Sequence, residues 1–190
     1  MAKIAIVYFS GYGHTAKQAE CVQAGALSVP GTTVEMLRID QEGNLSEGAF
    51  EQITAADAVI YGSPTYMGGP AWQFKKFADA SSKPWFTQAW KNKLAAGFTT
   101  SASTNGDKAN TINYFFTFSQ QHSQIWIGLG LMPMNAKANS HEDTNWTAGF
   151  AGALGISPSD ANPDEIRKGD AESARQLGIR VAEFAPRISS

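Results

Sequence analysis

The apolar run Ile4-Ala5-Ile6-Val7-Tyr8-Phe9 leads into Ser10-Gly11-Tyr12-Gly13-His14-Thr15, and Ala16, Ala19, Val22, Gln23 and Ala26 then recur at helical spacing. This is a strand, a loop of hydroxyls and glycines, and a helix. Such a loop turns bare backbone N–H groups and the positive end of a helix dipole toward one point, and the hydroxyls of Ser10 and Thr15 add donors without fixed charge. The arrangement suits a phosphate group. The residues leave the compound open, because Gly11-Tyr12-Gly13-His14-Thr15-Ala16 also fits the dinucleotide fingerprint G-x-G-x-x-A. His14 either complements a dianion or stands by at the helix start.

Two later loops have similar chemistry. Gly62-Ser63-Pro64-Thr65-Tyr66-Met67-Gly68-Gly69-Pro70 follows a third strand-like run, and its glycines let backbone approach a flat ligand while Tyr66 and Met67 offer an aromatic and a polarisable surface. Thr100-Ser101-Ala102-Ser103-Thr104-Asn105-Gly106-Asp107 follows a fourth run, again small and hydroxylated before a helix. Either loop alone reads as an ordinary strand-to-helix turn, with Asp107 or Asn105 as an N-cap. Together, one loop for a phosphate and two for a planar heterocycle with polar edges describe a mononucleotide such as FMN.

The elements that must position these loops follow from periodicity. Strand-like runs lie at Ile4 to Phe9, Thr32 to Ile39, Asp57 to Ser63, Leu94 to Thr100 and Ile125 to Leu131. Helical patterns lie at Ala16 to Val29, Pro70 to Ala80 and Lys108 to Gln121. A last helix is expected to open with the capping box Asn162-Pro163-Asp164-Glu165 and to end at Pro186. The expectation is an α/β fold, a doubly wound five-stranded parallel sheet with helices on both faces, whose ligands bind beyond the C-terminal ends of the strands. A single domain over residues 1–190 is expected, with a long loop insertion at Met132 to Ala161 that is either a surface excursion or a lid, binding loop or subunit contact.

Composition narrows the partners. Fifteen Lys and Arg balance seventeen Asp and Glu, with no basic block or acidic tail, so nucleic acid and anionic membrane are not expected partners. The single Cys21 excludes an intramolecular disulfide, and the N-terminal apolar run is too short for a signal-peptide core; a cytoplasmic protein is expected. His141, Glu142 and Asp143 are adjacent in a loop without metal-ligand spacing, so no metal is expected. Ser10 lacks the hydrolase elbow G-x-S-x-G.

The segments Tyr8-Phe9-Ser10-Gly11-Tyr12-Gly13-His14-Thr15, Ser63-Pro64-Thr65-Tyr66-Met67-Gly68 and Lys93-Leu94-Ala95 through Phe98-Thr99-Thr100-Ser101-Ala102-Ser103, with Thr111-Ile112 and His122, resemble the flavodoxin-like NAD(P)H:quinone oxidoreductases of the tryptophan-repressor-binding-protein (WrbA) type. The resemblance runs from Lys3 to about Leu131. It implies a flavodoxin-like fold in which Ser10 to Thr15 hold the FMN phosphate and Pro64, Thr65, Tyr66, Met67 and Gly68 flank ribityl and ring. Thr100, Ser101, Ala102, Ser103, Thr104 and Asn105 would give hydrogen bonds to the pyrimidine end, and His122 would lie beside the flavin. Tyr12 would meet the nicotinamide and Trp85 the substrate cavity. The family also implies NADH or NADPH as donor, a quinone as acceptor, no separate catalytic acid or base, and a homodimer or homotetramer. Departures from the family are Tyr66, where Arg is frequent, and a fourth-strand loop poorer in glycine.

Three rivals stand beside this reading. A flavodoxin electron carrier shares fold and cofactor, although such carriers are typically strongly acidic. A NAD-dependent Rossmann dehydrogenase would use Asp40 on a ribose. A regulatory scaffold would bind FMN without turnover.

Overall fold

Along the strand Ala2–Phe9 (β1), alternate residues enter opposite layers. Ile4, Ile6 and Tyr8 join one apolar cluster, and Ala5, Val7 and Phe9 join the other. The structure is a computed structural model describing residues 1–188, so Ser189 and Ser190 of the expected domain lie outside it. After β1 come α1 (His14–Leu27), β2 (Thr32–Ile39), α2 (Ala49–Ala55), β3 (Ala58–Tyr66), β4 (Gly69–Pro70), α3 (Trp72–Ala80), α4 (Ser82–Phe86), β5 (Leu94–Ser101), α5 (Lys108–Gln121), β6 (Ile125–Trp126), β7 (Ala153–Ile156) and α6 (Lys168–Ile188).

The main strands pair in the order β2-β1-β3-β5-β6, all parallel. This is the flavodoxin-like doubly wound order, and it differs from the 3-2-1-4-5-6 order of a dinucleotide-binding Rossmann sheet. The chain reverses its direction of travel across the sheet between β1 and β3, which opens a crevice above their C-terminal ends. One face of the sheet carries α1 and α6, with Ala19, Val22, Leu177 and Val181 in its core. The other carries α2, α3 and α5, with Ile53, Phe74, Phe77, Ile112 and Phe115.

The fifth sheet position departs from the expected Ile125 to Leu131. It is built from two pieces: β6 pairs with β5 at Leu94 and Ala95, and β7 pairs with it at Phe98 to Ser101. The insertion therefore spans residues 127–152 and interrupts the strand, rather than following it at 132–161. Gly128 and the left-handed Gly130 (φ 72°) break the apolar run that suggested a continuous strand. The insertion is tied down by Asn145, which is buried. Its N–H donates to Ser173 Oγ at 2.7 Å, its side-chain amide donates to Leu131 O at 3.0 Å, and its Oδ1 accepts from Gly149 N at 2.9 Å.

Other boundaries differ as well: α1 runs His14–Leu27 rather than Ala16 to Val29, and β3 runs Ala58–Tyr66 rather than Asp57 to Ser63. Pro70 does not start a helix; Gly69–Pro70 fold back antiparallel on Thr65 and Tyr66, and α3 begins at Trp72. The capping box at Asn162 and Glu165 is present but opens a 3-10 turn, Pro163–Glu165, with α6 starting at Lys168. Pro186 lies in the last turn of α6, which runs on to Ile188. The short helices α2 and α4 are additional to the expected set.

Candidate functional site

Three loops meet above the β1/β3 crevice and enclose a cleft of about 400 Å³, lined by Ser10, Tyr12, Thr15, Thr65, Thr100 and Ser157 among others. Among the described residues, no carboxylate lines it. Its first wall is the turn from β1 into α1. Ser10 Oγ accepts from the N–H groups of Gly13 and Ala16, both at 3.1 Å, which folds residues 10–16 into a ring around the start of the helix. Gly13, the residue before α1, is left-handed at φ 94°, ψ −26°. In a first helical turn the N–H groups of His14 and Thr15 have no acceptor within the helix, and both residues line the cleft. Arg38 Nη2 donates to Ser10 O at 3.3 Å and adds a cation behind the loop.

The ring of His14 does not reach for an anion, because its Nε2 donates to Ala161 O at 2.8 Å. That bond is one of three contacts clasping the segment before α6 onto the first loop. Lys17 pairs with Asp164 at 2.8 Å, and a Cβ placed on Gly13 would come within 2.5 Å of Pro163 Cγ. Ser157 and Ser159 of this segment line the cleft. They belong to the insertion expected from sequence at Met132 to Ala161, in which neither serine was singled out; β7, a four-residue strand containing a glycine, is what delivers them.

The second wall is a hairpin. Met67 (φ 48°) and Gly68 (φ 79°) form its two-residue turn, with the two positive φ values of a type I′ connection. The turn lifts Met67 to the tip, where it is fully exposed, so Pro64, Thr65 and Tyr66 line the cleft while Met67 and Gly68 do not. Thr65 is fixed from below, since its Oγ1 lies 2.8 Å from both Thr99 Oγ1 and Thr111 Oγ1. Tyr66 leans over the first loop: its hydroxyl would be 2.6 Å from a Cβ on Gly11, and its ring meets that of exposed Tyr12 edge-on, centroids 6.3 Å apart.

The third wall is the end of β5. Thr100, Ser101 and Ala102 line the cleft, and Ser103, Thr104 and Asn105 form its exposed rim. The structure does not bring His122 or Trp85 to this cleft. α5 starts beneath the rim and its 14 residues extend about 21 Å, which carries its C-cap, His122, toward the opposite edge of the sheet. There His122 is buried, with Nε2 2.9 Å from Ser81 Oγ and its ring 4.3 Å from that of Trp90. Trp85 and His122 line a separate hollow of about 300 Å³ with Tyr114 and Phe118.

Burial holds the His122 pKa down to about 4, against an ordinary 6.5. A base with a depressed folded pKa leaves the unfolded chain holding the extra proton between those values, so stability falls as pH drops from 6.5 toward 4. His122→Gln, which can still bond Ser81, is expected to lose about 2 kcal/mol less than the parent between pH 7 and pH 5. Urea unfolding at the two pH values measures it; equal losses in both proteins would show that His122 is not the acid-sensitive group.

Asp40, the ribose candidate of the Rossmann reading, is committed elsewhere. Its Oδ1 accepts from Asn44 N at 2.7 Å, a bond that holds its carboxyl below the usual range.

A sequence model of the NADPH-dependent FMN reductase family matches residues 18–126. The chain is 43% identical over 188 residues, 99% of both chains, to the flavodoxin FldP of Pseudomonas aeruginosa (strain UCBPP-PA14). It superposes on the flavodoxin, WrbA-like protein of Agrobacterium tumefaciens with a TM-score of 0.80, 43% identity and 99% coverage of both chains. A flavodoxin from the domain Archaea shares the fold at a TM-score of 0.60 and 19% identity, over 97% of this chain and 99% of its own. The chain belongs to the NADPH-dependent FMN reductase family. The family match begins inside α1; the loop at 10–15 before it is covered by the full-length relatives.

Among the described residues, no helix is long and apolar enough to cross a membrane.

Proposed function

We propose that the protein is an FMN-dependent oxidoreductase that takes electrons from NADH or NADPH and delivers two of them to a quinone-type acceptor. The observation that carries this reading is the cleft at the β1/β3 crevice, lined by the first two residues of α1, His14 and Thr15, and by hydroxyl side chains from three loops. Those donors suit a phosphate dianion without a competing carboxylate, and the cleft residues fit FMN.

Ser10, Gly11, Gly13 and Thr15 would hold the phosphate, Thr65 and Tyr66 the middle of the cofactor, and Thr100 to Asn105 the polar end of its ring. When bound, FMN supplies hydride acceptance and two-electron transfer. The protein's contribution is alignment. Tyr12 and Tyr66 form an aromatic rim against which a nicotinamide or quinone ring can rest within roughly 3 to 3.5 Å of the reacting atoms. No side chain is required to move a proton in the rate-determining geometry. The protein is read as a homodimer or homotetramer, since exposed Phe150 and Met132 on the insertion and Trp85 and Phe86 on α4 are costly to leave in water; no role in binding nucleic acid or membrane is proposed, and the compartment is read as cytoplasmic.

The full-length likeness to the flavodoxin FldP favours a second reading, an electron carrier reduced by another protein. Anaerobic mixing of the FMN-loaded protein with NADPH or NADH separates the two. The enzyme reading expects bleaching of the flavin bands within seconds and their return on adding a benzoquinone or naphthoquinone. A flavin that only dithionite can bleach would identify a carrier.

A further inference from the structure

Lys108 stands at the first position of α5 and is 2% exposed, a place where a lysine side chain normally lies in water. Its ammonium is turned back under the rim of the cleft and donates to three oxygens: Ser101 Oγ at 2.9 Å, Ser103 O at 2.8 Å and Thr104 O at 2.8 Å. All three protons are used. The loop is coiled tightly enough around the ammonium that Gly106 (φ 54°) and Asp107 (φ 54°) are both left-handed, and a Cβ on Gly106 would overlap Ser101 Oγ.

The peptides are trans, so a carbonyl drawn inward sends the next N–H outward. With Ser103 O and Thr104 O on the ammonium, the N–H groups of Thr104 and Asn105 point away from the core at the cleft's rim. The charge has a counterpart. Asp170, in the first turn of α6 and 3% exposed, accepts from Ile156 N at 2.8 Å, and Ile156 is the cross-strand register partner of Ser101, whose hydroxyl the Lys108 ammonium bonds; the two charges therefore flank the same end of the sheet, with Arg167 and Glu142 as the other charged groups nearby. A buried cation is costly to desolvate even when all three of its donors are satisfied.

We propose that Lys108 is the positioning residue that pre-forms the 101–105 loop for the carbonyl-bearing edge of the FMN ring, and that the Lys108 and Asp170 pair sets how much negative charge the reduced cofactor can hold there. This rests on the FMN reading of the cleft. Two-electron reduction places negative charge on the pyrimidine end of the ring. A cation one peptide layer behind the loop favours that charge, and Asp170 tempers it.

The test uses the full chain loaded with FMN. Lys108→Gln and Asp170→Asn are compared with the parent by FMN titration, by spectroelectrochemical midpoint potential, and by circular dichroism of the cofactor-free proteins. Lys108→Gln is expected to weaken FMN binding roughly tenfold or more, and reduced FMN about tenfold further than oxidised FMN. That extra factor is about 30 mV toward negative potential for a two-electron couple. Asp170→Asn keeps an oxygen for Ile156 N, so it is expected to fold normally and to move the potential in the opposite, positive direction. A folded Lys108→Gln with parental affinity and potential would overturn the proposal, as would an Asp170→Asn shift that is absent or negative. If Lys108→Gln does not fold, the sign of the Asp170→Asn shift alone decides. A parent protein that binds no FMN would remove the functional reading itself, a result distinct from failure of the lysine's role.

Discussion

Gly13→Val is expected to weaken FMN binding by roughly a hundredfold or more, about 3 kcal/mol. Two independent restraints act at this residue. Its φ of 94° lies where a β-branched side chain is a steric outlier, and its Cβ would stand 2.5 Å from Pro163 Cγ. The valine can be relieved only by turning the peptide out of the left-handed region or by pushing the 157–165 clasp away. Either movement misaligns the N–H groups of His14 and Thr15 or withdraws Ser157 and Ser159 from the cleft. The effect reaches the ligand through backbone and clasp, since the glycine's missing side chain faces Pro163 rather than the cleft. An FMN titration followed by flavin fluorescence measures it. Parental affinity in a folded variant would detach this turn from phosphate binding.

The second large effect concerns the scaffold. α1 and α6 cross at two glycines: a Cβ on Gly178 would overlap Val22 O, and one on Gly25 would overlap Arg175 O. Both obstacles are backbone, so no rotamer change can make room, and the helices must separate. Gly178→Val is therefore expected to cost about 3 to 5 kcal/mol, lowering the melting temperature by roughly 10 to 15 °C. Gly69→Ala is the matched control, because its Cβ would meet nothing within 4 Å and its φ is not left-handed. It should lie within about 0.5 kcal/mol of the parent. Equal melting temperatures for Gly178→Val and the parent would mean that the helix crossing is looser than described.

Four of the five strand runs and the helices α1 and α5 were legible in the sequence because both layers of the sheet impose their period on it. That the three loops lie at the C-terminal ends of the strands followed from the alternation of strands and helices, whereas the switch point between β1 and β3 required the strand order. The divided fifth strand was not legible. Gly128 and Gly130 sit inside an apolar run that reads as continuous, and Ala153-Leu154-Gly155-Ile156 is too short and too poor in β-branched residues to announce itself. Ser157 and Ser159 were missed with it. Met67 illustrates a different limit: type and spacing suggested a surface offered to a ligand, but not that Met67 and Gly68 form the exposed two-residue turn of a hairpin. Lys108 could not be found from type and spacing, since a lysine at a helix start reads as solvated, and only the loop's carbonyls reveal its burial. His122 was raised by family resemblance alone, and the length of α5 carries it away from the cleft of its own chain.

The most direct test of the central claim, that the α1 N-terminus and the three loops bind FMN by its phosphate, is to titrate the cofactor-free protein with FMN and with riboflavin under the same conditions. FMN and riboflavin share the ring and ribityl chain and differ only in the dianion. The expected result is quenching of flavin fluorescence at one FMN per chain, with riboflavin bound at least a hundredfold more weakly, since the charge-assisted bonds from the first helical turn are each worth about 1.5 to 3 kcal/mol. Equal affinity for the two, or no binding of either, would contradict it.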